Sequence, residues 1–414
     1  MSRGQAGRIF LVFAAGYFLS YSFRSIGPLI APDLARELAL NTRDLGLLAS
    51  VYFLTFFMAQ PVIGIAMDRF GPTRVNAVLI AIAALGGALF ASGQDAVTLA
   101  VGRGLIGLGV AGSLMTALKA FVVWYDPRHR EALSGAMMAV GGVAAMIASS
   151  PAELLMREIG WRGLFWVLSG FACVVAAALM LALPVGRAAA ATPVAHASHG
   201  GYGSIFKSRI FVSYAPLAFF GSGGFSAIQS LWAGPWLVEV AGLARAAAAR
   251  VLLVYGFALL VGYLLVALLG SRVQATAGAP RRLYVASLTI SYVALAAIIS
   301  NAWPKSGLPW LAYGMTLGAG MLAYPALTRA FPVAISGRVL TAYNMLMFMG
   351  GFVLQSALGI VIQALQDAGW TTVRAYQGAF GLLLALQIAA LIWFIALSRD
   401  HRARRPAQPA AGTP

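Results

Sequence analysis

The sequence predicts an all-α polytopic membrane protein with twelve transmembrane helices. Of its 414 residues, 60% are hydrophobic and only 10% are charged, which is not the composition of an ordinary soluble domain. Long apolar runs recur from near the start of the chain almost to its end, as expected for helices that cross a bilayer. The predicted spans are Ile9–Ile30, Leu45–Met67, Val75–Ala91, Leu99–Tyr125, Ala132–Leu155, Leu164–Leu183, Phe211–Trp236, Val251–Leu269, Tyr284–Ala302, Leu308–Ala326, Val339–Leu365 and Ala379–Leu397.

The formal net charge of +17 reflects orientation in the membrane rather than binding to nucleic acid. With the N-terminus in the cytoplasm, 18 of the 29 Lys and Arg residues lie in cytoplasmic segments, eight lie in outer segments and three lie within spans. This distribution follows the positive-inside rule, so both termini are expected in the cytoplasm. The first apolar run has no clear small-residue cleavage site, and we interpret it as an uncleaved first helix.

An arginine interrupts the first apolar span. Counted from the start of the span at about 1.5 Å per residue, Arg24 lies roughly 22 Å into a hydrocarbon layer about 30 Å thick. A cation at that depth costs about 3 kcal/mol on insertion scales, so we expect it to face a partner or a water-filled cavity. Tyr17, Tyr21 and Arg24 follow at i, i+4 and i+7 and share one helix face. We interpret this face as part of a transport path on which Arg24 receives an anionic substrate.

The most specific motif lies between the second and third spans. It reads Gly64-Ile-Ala-Met-Asp68-Arg69-Phe-Gly71-Pro-Thr-Arg74. Gly64 permits close helix approach, Gly71 permits a tight turn, and Asp68 is placed to meet a neighbouring helix N-terminus. The spacing closely resembles the signature of the major facilitator superfamily. The resemblance implies a 6+6 fold with pseudo-twofold related halves, and a conformational latch on the cytoplasmic side formed by Gly64, Asp68, Arg69, Gly71 and Arg74.

The fourth span holds two cations, each with two interpretations. Arg103 is followed by Gly107 and Gly112 in a pattern that resembles a second, weaker motif of the superfamily, and such glycines permit close helix packing in lipid. Arg103 lies at the outer end of the span. Either it has this packing or functional role, or its side chain extends to the membrane interface. Lys119 lies six residues, about 9 Å, before Tyr125, so it either lines a cavity or extends to the cytoplasm.

Two stretches narrow the resemblance to organic-anion permeases. Tyr21-Ser-Phe-Arg24 looks like the Tyr-x-x-Arg of the first helix in the anion:cation symporters, and the run Ala117–Arg130 resembles the end of their fourth helix and the loop after it. The resemblance implies that Arg24 binds the substrate carboxylate. Proton-coupled members carry acids where this chain has Phe23 and Val110.

The twelve acidic residues all lie in loops or near predicted helix ends, so the usual proton carriers are missing. We therefore expect uniport, anion exchange or symport of a proton carried by the substrate itself. Counterflow in proteoliposomes under imposed pH gradients separates these modes, and uptake of an ionised substrate driven strongly by protons would contradict the expectation.

The second half of the chain repeats six spans. The predicted division is a first six-helix half over residues 1–185, a cytoplasmic linker over 186–208, a second six-helix half over 209–398 and a basic tail over 399–414. In the seventh span, Gly221–Gly224 predicts a break comparable with Gly27-Pro28, and broken helices near the midplane expose backbone groups to a substrate. Gln229 and Trp232 follow and offer a polar and aromatic surface, although Trp232 is equally an interface anchor.

We therefore expect a secondary active or facilitative transporter that moves a small organic anion, in particular a carboxylate, by alternating access. A drug or metabolite exporter of the same superfamily and a non-transporting membrane sensor remain alternatives. No span carries paired carboxylates, a nucleophile–base pair or metal-ligand spacing, so we expect no enzyme activity, no cofactor and no metal. The protein is expected to be a monomer in a bacterial inner (plasma) membrane. The expected substrate-binding residues are Arg24, Tyr17, Tyr21, Tyr52, Lys119, Gln229 and Trp232.

Overall fold

Every regular element in the described part of the chain is a helix. The computed structural model describes residues 3–181, 202–275, 278–316, 320, 322–331 and 336–403. Within these ranges there is no strand, and ten helical stretches are long and apolar enough to cross a membrane. The predicted all-α membrane architecture is therefore confirmed.

The helices are numbered in chain order. The first half contains α1 (Arg3–Ser25), α2 (Gly27–Glu37), α3 (Thr42–Phe70), α4 (Pro72–Ser92), α5 (Ala96–Val110), α6 (Ser113–Trp124), α7 (Pro127–Ile147) and α8 (Ser150–Leu181). After it come α9 (Tyr202–Lys207), α10 (Arg209–Val240), α11 (Arg245–Ala275), α12 (Ala279–Ser300), α13 (Leu308–Met315), α14 (Ala323–Ala330), α15 (Ser336–Asp367) and α16 (Thr372–Ala403). We call the end of the bundle where α1 begins and α16 ends the termini end, and the opposite end the far end.

Four of the predicted spans are built from two helices each. The first consists of α1 and α2, which meet at Ile26 because Gly27-Pro28 starts a new helix with proline in its first turn. The fourth consists of α5 and α6, the fifth of α7 and the start of α8, and the tenth of α13 and α14. The predicted linker 186–208 and tail 399–414 lie mostly outside the described residues, and the predicted division into domains stays a prediction.

Polar caps and one glycine set the helix ends at the far end. The side chain of Asn41 accepts a hydrogen bond from the N–H of Asp44 at 2.8 Å, and Asp95 accepts one from the N–H of Thr98 at 2.9 Å. The hydrogen bonds from Thr98, the one from its hydroxyl above all, hold the pKa of Asp95 below its usual range. Gly160, with φ at 68°, breaks α8 and lets the chain turn between the fifth and sixth spans.

The predicted break in the seventh span is wrong. α10 runs through this region without interruption and contains π-helical stretches at Leu217–Ser222, Ile228–Trp232 and Trp236–Val240. A Cβ atom at Gly223 would lie 2.7 Å from the backbone of Gly350 on α15. The glycines therefore let α10 and α15 approach closely, and this approach does not require a break in α10.

The two halves meet at the far end through reciprocal backbone contacts between α2 and α10. A Cβ atom at Gly27 would overlap the carbonyl oxygen of Ser230, and a Cβ atom at Gly234 would overlap the carbonyl oxygen of Pro28. Each glycine therefore faces the backbone of the other half with no room for a side chain. We call these four residues the glycine clasp.

The packing of α3 against α15 extends this contact. The Ser356 hydroxyl donates to the Ser50 hydroxyl at 2.7 Å, and the rings of Phe56 and Phe348 lie 4.1 Å apart. At Gly64, near the other end of α3, nothing in the described part of the chain lies within 4 Å of a Cβ position. The structure is thus closed at the far end, and Gly64 makes no close helix contact with the described residues.

An ion pair adds a charged contact between the halves at the far end. Arg245 on α11 donates to both carboxylate oxygens of Asp33 on α2, at 2.9 and 2.5 Å. A third bond from Arg245 reaches the carbonyl oxygen of Leu29 at 3.4 Å. Both charged side chains are partly exposed, so solvent weakens their attraction.

Reversing one charge of this pair is expected to lower the thermal unfolding temperature of the detergent-solubilised protein. Arg245→Asp places two carboxylates opposite each other, and for a partly exposed pair the loss is about 1 kcal/mol. Combining it with Asp33→Arg restores opposite charges, so the double variant should regain most of the loss. A double variant no more stable than either single variant would show that the pair does not join the halves.

Candidate functional site

Arg24 lies on the last turn of α1, just before the glycine clasp. Its side chain is partly exposed, although the neighbouring residues Tyr21, Phe23 and Ile26 are buried. Its Nε atom is buried and has no hydrogen-bond partner. Within the described residues, the groups around the guanidinium are phenols and none is an acid. Arg24 is therefore an intramembrane cation that lacks a counter-ion in the described part of the chain.

The described groups that interact with the guanidinium are four phenols. Its central carbon lies 4.0 Å from the ring centroid of Tyr21, and it also interacts electrostatically with Tyr52, Tyr17 and Tyr263. Three of these phenols belong to the first half, whereas Tyr263 belongs to α11 of the second half. Arg24 therefore interacts with side chains of both halves.

Packing holds the first-half phenols against Arg24. The rings of Tyr17 and Tyr21, one turn apart on α1, meet edge to face with 5.9 Å between their centroids. Helix α7 approaches both rings through Gly141, where a Cβ atom would lie 2.8 Å from Tyr21 and 3.1 Å from Tyr17. The hydroxyl of Tyr52 donates to the carbonyl oxygen of Ser20 at 3.4 Å. Contacts from α1, α3 and α7 therefore fix the three side chains.

The sequence prediction missed Tyr263. Its hydroxyl oxygen lies 3.3 Å from that of Tyr21, and this pair joins the two halves. A tyrosine in the apolar eighth span was the only available signal, and its spacing does not indicate which helix it faces. Tyr255, two turns earlier on α11, is also buried, but its hydroxyl has no hydrogen-bond partner among the described residues. Only the packing of α11 against the first half distinguishes the two phenols.

Arg103 is buried within the first half. It is 3% exposed, its Nη1 donates to the carbonyl oxygen of Phe23 at 3.0 Å, and its guanidinium lies 5.1 Å from the ring centroid of Tyr52. It therefore does not extend to the interface. A Cβ atom at Gly107 would overlap the carbonyl oxygen of Tyr52, and one at Gly112 would lie 2.5 Å from a side chain of α4. Both glycines thus lie at close contacts between helices.

Gln229 and Trp232 lie in the second π-helical stretch of α10, beside the glycine clasp. Gln229 is buried, and its Nε2 atom has no hydrogen-bond partner. The indole N–H of Trp232 donates to the carbonyl oxygen of Gln355 at 3.0 Å, and its ring packs against Gly46 on α3 and Gly359 on α15. Trp232 therefore packs the far-end contact between the halves, and the binding roles of both residues stay predictions.

Lys119 lies far from Arg24 along the bundle. It is two residues before Phe121, whose ring stacks on Phe10 of α1 with 6.0 Å between centroids. From Phe10 to Arg24, α1 rises about 20 Å, so Lys119 is roughly 18 Å from Arg24 along the helix axis. Lys119 is half-buried and has an interaction partner of its own. The structure does not bring the two cations into one site.

The predicted latch motif forms the turn between α3 and α4. Gly71, with φ at 81°, ends α3, and its N–H donates to the carbonyl oxygen of Met67 at 3.1 Å. Arg69 and Arg74 are exposed, and the side chain of Asp68 lies outside the described residues. The assignment of this motif as a latch stays a prediction.

The sequence matches one protein family over most of its length. The model described as Major Facilitator Superfamily matches residues 12–355. Among curated proteins, the chain is 29% identical over 152 residues to a probable sulfoacetate transporter of Cupriavidus necator, 26% identical over 163 residues to a galacturonate transporter of Dickeya chrysanthemi, and 28% identical over 177 residues to monocarboxylate transporter 4 of Gallus gallus. These matches cover 37%, 38% and 42% of this chain and 35%, 46% and 37% of the respective relatives, which is less than half of each relative.

Solved structures of similar fold cover nearly the whole chain. A bacterial homologue of the human lysosomal transporter Spinster, in an inward-facing and unoccupied conformation, has a TM-score of 0.74 at 16% identity and covers 99% of this chain and 100% of its own. A D-xylose–proton symporter has a TM-score of 0.74 at 15% identity and covers 94% of this chain and 97% of its own. At such identities the similarity shows the fold alone.

Proposed function

The chain belongs to the major facilitator superfamily, and on that premise we propose that it transports a small organic anion whose acidic group binds Arg24. As a member of this family it is a membrane transporter and not an enzyme. The proposal adds the charge of the substrate, the residue that binds it and the direction in which the molecule opens.

The unpaired guanidinium of Arg24 carries the proposal. A cation within the membrane is expected to have a partner, yet the described groups around this one are phenols. A carboxylate or sulfonate on the substrate would supply the missing negative charge, and the planar guanidinium matches two oxygens of such a group. We therefore assign the counter-ion of Arg24 to the substrate.

The names of three relatives support an anionic substrate. They are a probable sulfoacetate transporter, a galacturonate transporter and a monocarboxylate transporter, and each name is that of an anion or a class of anions. The matches cover less than half of each relative, so they support a chemical class and no single compound.

In the proposed cycle the two halves rock around Arg24. The glycine clasp closes the far end, so in the proposed cycle substrate is exchanged at the termini end in this state. The excess of Lys and Arg on that side supports a cytoplasmic location for it. Because a paired guanidinium costs less to enclose than an unpaired one, a bound anion favours closure around Arg24. The latch motif then holds the termini end closed while the clasp opens.

Small organic anions are expected to raise the thermal unfolding temperature of the purified protein. Acetate, lactate, galacturonate and sulfoacetate are tested at equal ionic strength in detergent, since a ligand that binds the native state stabilises it. Galactose is the matched control for galacturonate, because a hydroxymethyl group replaces the carboxylate. Equal stabilisation by galactose and galacturonate, or no stabilisation by any of the four anions, would contradict the proposal.

A further inference from the structure

A hydrogen bond between two phenols joins the halves beside Arg24. The hydroxyl oxygens of Tyr21 on α1 and Tyr263 on α11 lie 3.3 Å apart, and either of them can donate the proton. Other bonds between the halves, such as that between Ser50 and Ser356, lie towards the far end. The Tyr21–Tyr263 pair is therefore an inter-half contact of uncharged groups at the level of the candidate site.

The pair and the glycine clasp lie on opposite sides of Arg24. Along α1, Tyr21 precedes Arg24 by three residues, about 4.5 Å towards the termini end, and Gly27 follows it by three residues towards the far end. Gly27 is packed against the backbone of Ser230. A substrate group at Arg24 therefore lies between a closed backbone contact on one side and two phenolic hydroxyls on the other.

The chemistry of the pair favours its exchange for an anion. A hydroxyl that donates to a charged oxygen forms a shorter and stronger bond than one that donates to a neutral oxygen. The Tyr21 ring already lies 4.0 Å from the guanidinium carbon of Arg24, and Tyr263 interacts electrostatically with the same guanidinium. An anion held by Arg24 would therefore lie beside Tyr21, whose hydroxyl oxygen is 3.3 Å from that of Tyr263, and each phenol is a better donor to an anion than to the other phenol.

We infer that Tyr263 is the contact through which the second half binds the substrate anion. In this inference, which rests on the proposed role of Arg24, the Tyr263 hydroxyl leaves Tyr21 and donates to an oxygen of the anion. Arg24 binds the anion from the first half and Tyr263 binds it from the second, so the anion bridges the halves. The substrate class follows: the acidic group has at least two acceptor oxygens, as a carboxylate or a sulfonate has.

The test compares Tyr263→Phe with Tyr255→Phe. Both replacements keep a buried aromatic ring on α11 and remove only a hydroxyl, but the hydroxyl of Tyr255 has no hydrogen-bond partner in the described part of the chain. Dissociation constants for acetate, lactate, galacturonate and sulfoacetate are measured by thermal shift on wild-type protein, both Phe variants and Arg24→Ala. Tyr263→Phe is expected to weaken binding roughly five- to tenfold through the loss of one charge-assisted hydrogen bond, and Tyr255→Phe to leave it unchanged.

The outcomes separate this inference from the proposed function. Loss of binding in Arg24→Ala with wild-type affinity in Tyr263→Phe would overturn the inference and leave the role of Arg24 standing. Equal weakening in both Phe variants would also overturn it, because the effect would not belong to the bridging hydroxyl. Wild-type affinity in Arg24→Ala, or no binding of any of the four anions by wild-type protein, would overturn the proposed function and the inference with it.

Discussion

Replacement of Arg24 by alanine is expected to abolish transport and to leave the stability of the unliganded protein nearly unchanged. The side chain makes no hydrogen bond or ion pair within the described residues, and its closest described contact is with the ring of Tyr21. That contact contributes about 0.5–2 kcal/mol to stability. Its loss is offset because the variant no longer buries an unpaired charge. Loss of a charged hydrogen-bonding partner lowers the binding free energy of the anion by about 2 kcal/mol or more, which is roughly thirtyfold in affinity.

The measurement is uptake of labelled anion into proteoliposomes together with the thermal unfolding temperature. Arg24→Lys should also transport poorly, because an ammonium group keeps the charge but loses the planar fork that matches a carboxylate. Arg8→Ala is the matched control, since it removes an exposed arginine from the same helix. Near-normal uptake by Arg24→Ala would end the proposal.

A single methyl group at Gly27 is expected to stop transport without touching the substrate. A Cβ atom there would overlap the carbonyl oxygen of Ser230, and both sides of the contact are backbone, so no side chain can move aside. The far end of Gly27→Ala therefore cannot close as it does in this structure, and the protein should stay open on that side. Gly234→Ala meets the carbonyl oxygen of Pro28 and should have the same effect.

Accessibility of Ser50 reports on closure of the far end. Ser50 is 1% exposed and bonded to Ser356 of the other half. In a Cys173→Ser background, Ser50→Cys should react with a membrane-impermeant maleimide much faster when Gly27 is replaced by alanine. Gly170→Ala is the control, because nothing described lies within 4 Å of its Cβ position. Normal uptake by Gly27→Ala, with Ser50→Cys still protected, would show that the clasp does not need to close.

Part of the candidate site depends on residue spacing within one helix, and part depends on how the helices pack against each other. The i, i+4, i+7 spacing alone predicted that Tyr17, Tyr21 and Arg24 share a helix face, because the periodicity of a helix fixes it. The separation of Lys119 from Arg24 depends on how α6 lies beside α1, which no spacing within one helix encodes. The choice of Tyr263 over Tyr255 depends in the same way on the packing of α11 against the first half.

The glycines also show that sequence alone does not determine how neighbouring helices pack. A glycine removes a side chain, which permits either a break in a helix or the close approach of a second backbone. At Gly27-Pro28 a new helix begins, and in the seventh span the helix continues and Gly223 meets Gly350 instead. The sequence indicates that a glycine permits one of these two structures, and only the neighbouring helix decides between a break and a close approach.

The sequence by itself determined the membrane class, the number and order of the apolar spans, the family motif at Gly64–Arg74 and an arginine too deep in the membrane to lack a partner. These are properties of single segments, and transfer of apolar residues and of one charge into lipid depends on each segment alone. The tertiary structure decided that the far end is closed, that the described groups around Arg24 are phenols, and that Tyr263 of the other half contacts Tyr21 beside it. Those features are contacts between helices, and their geometry exists only once the two halves have packed together.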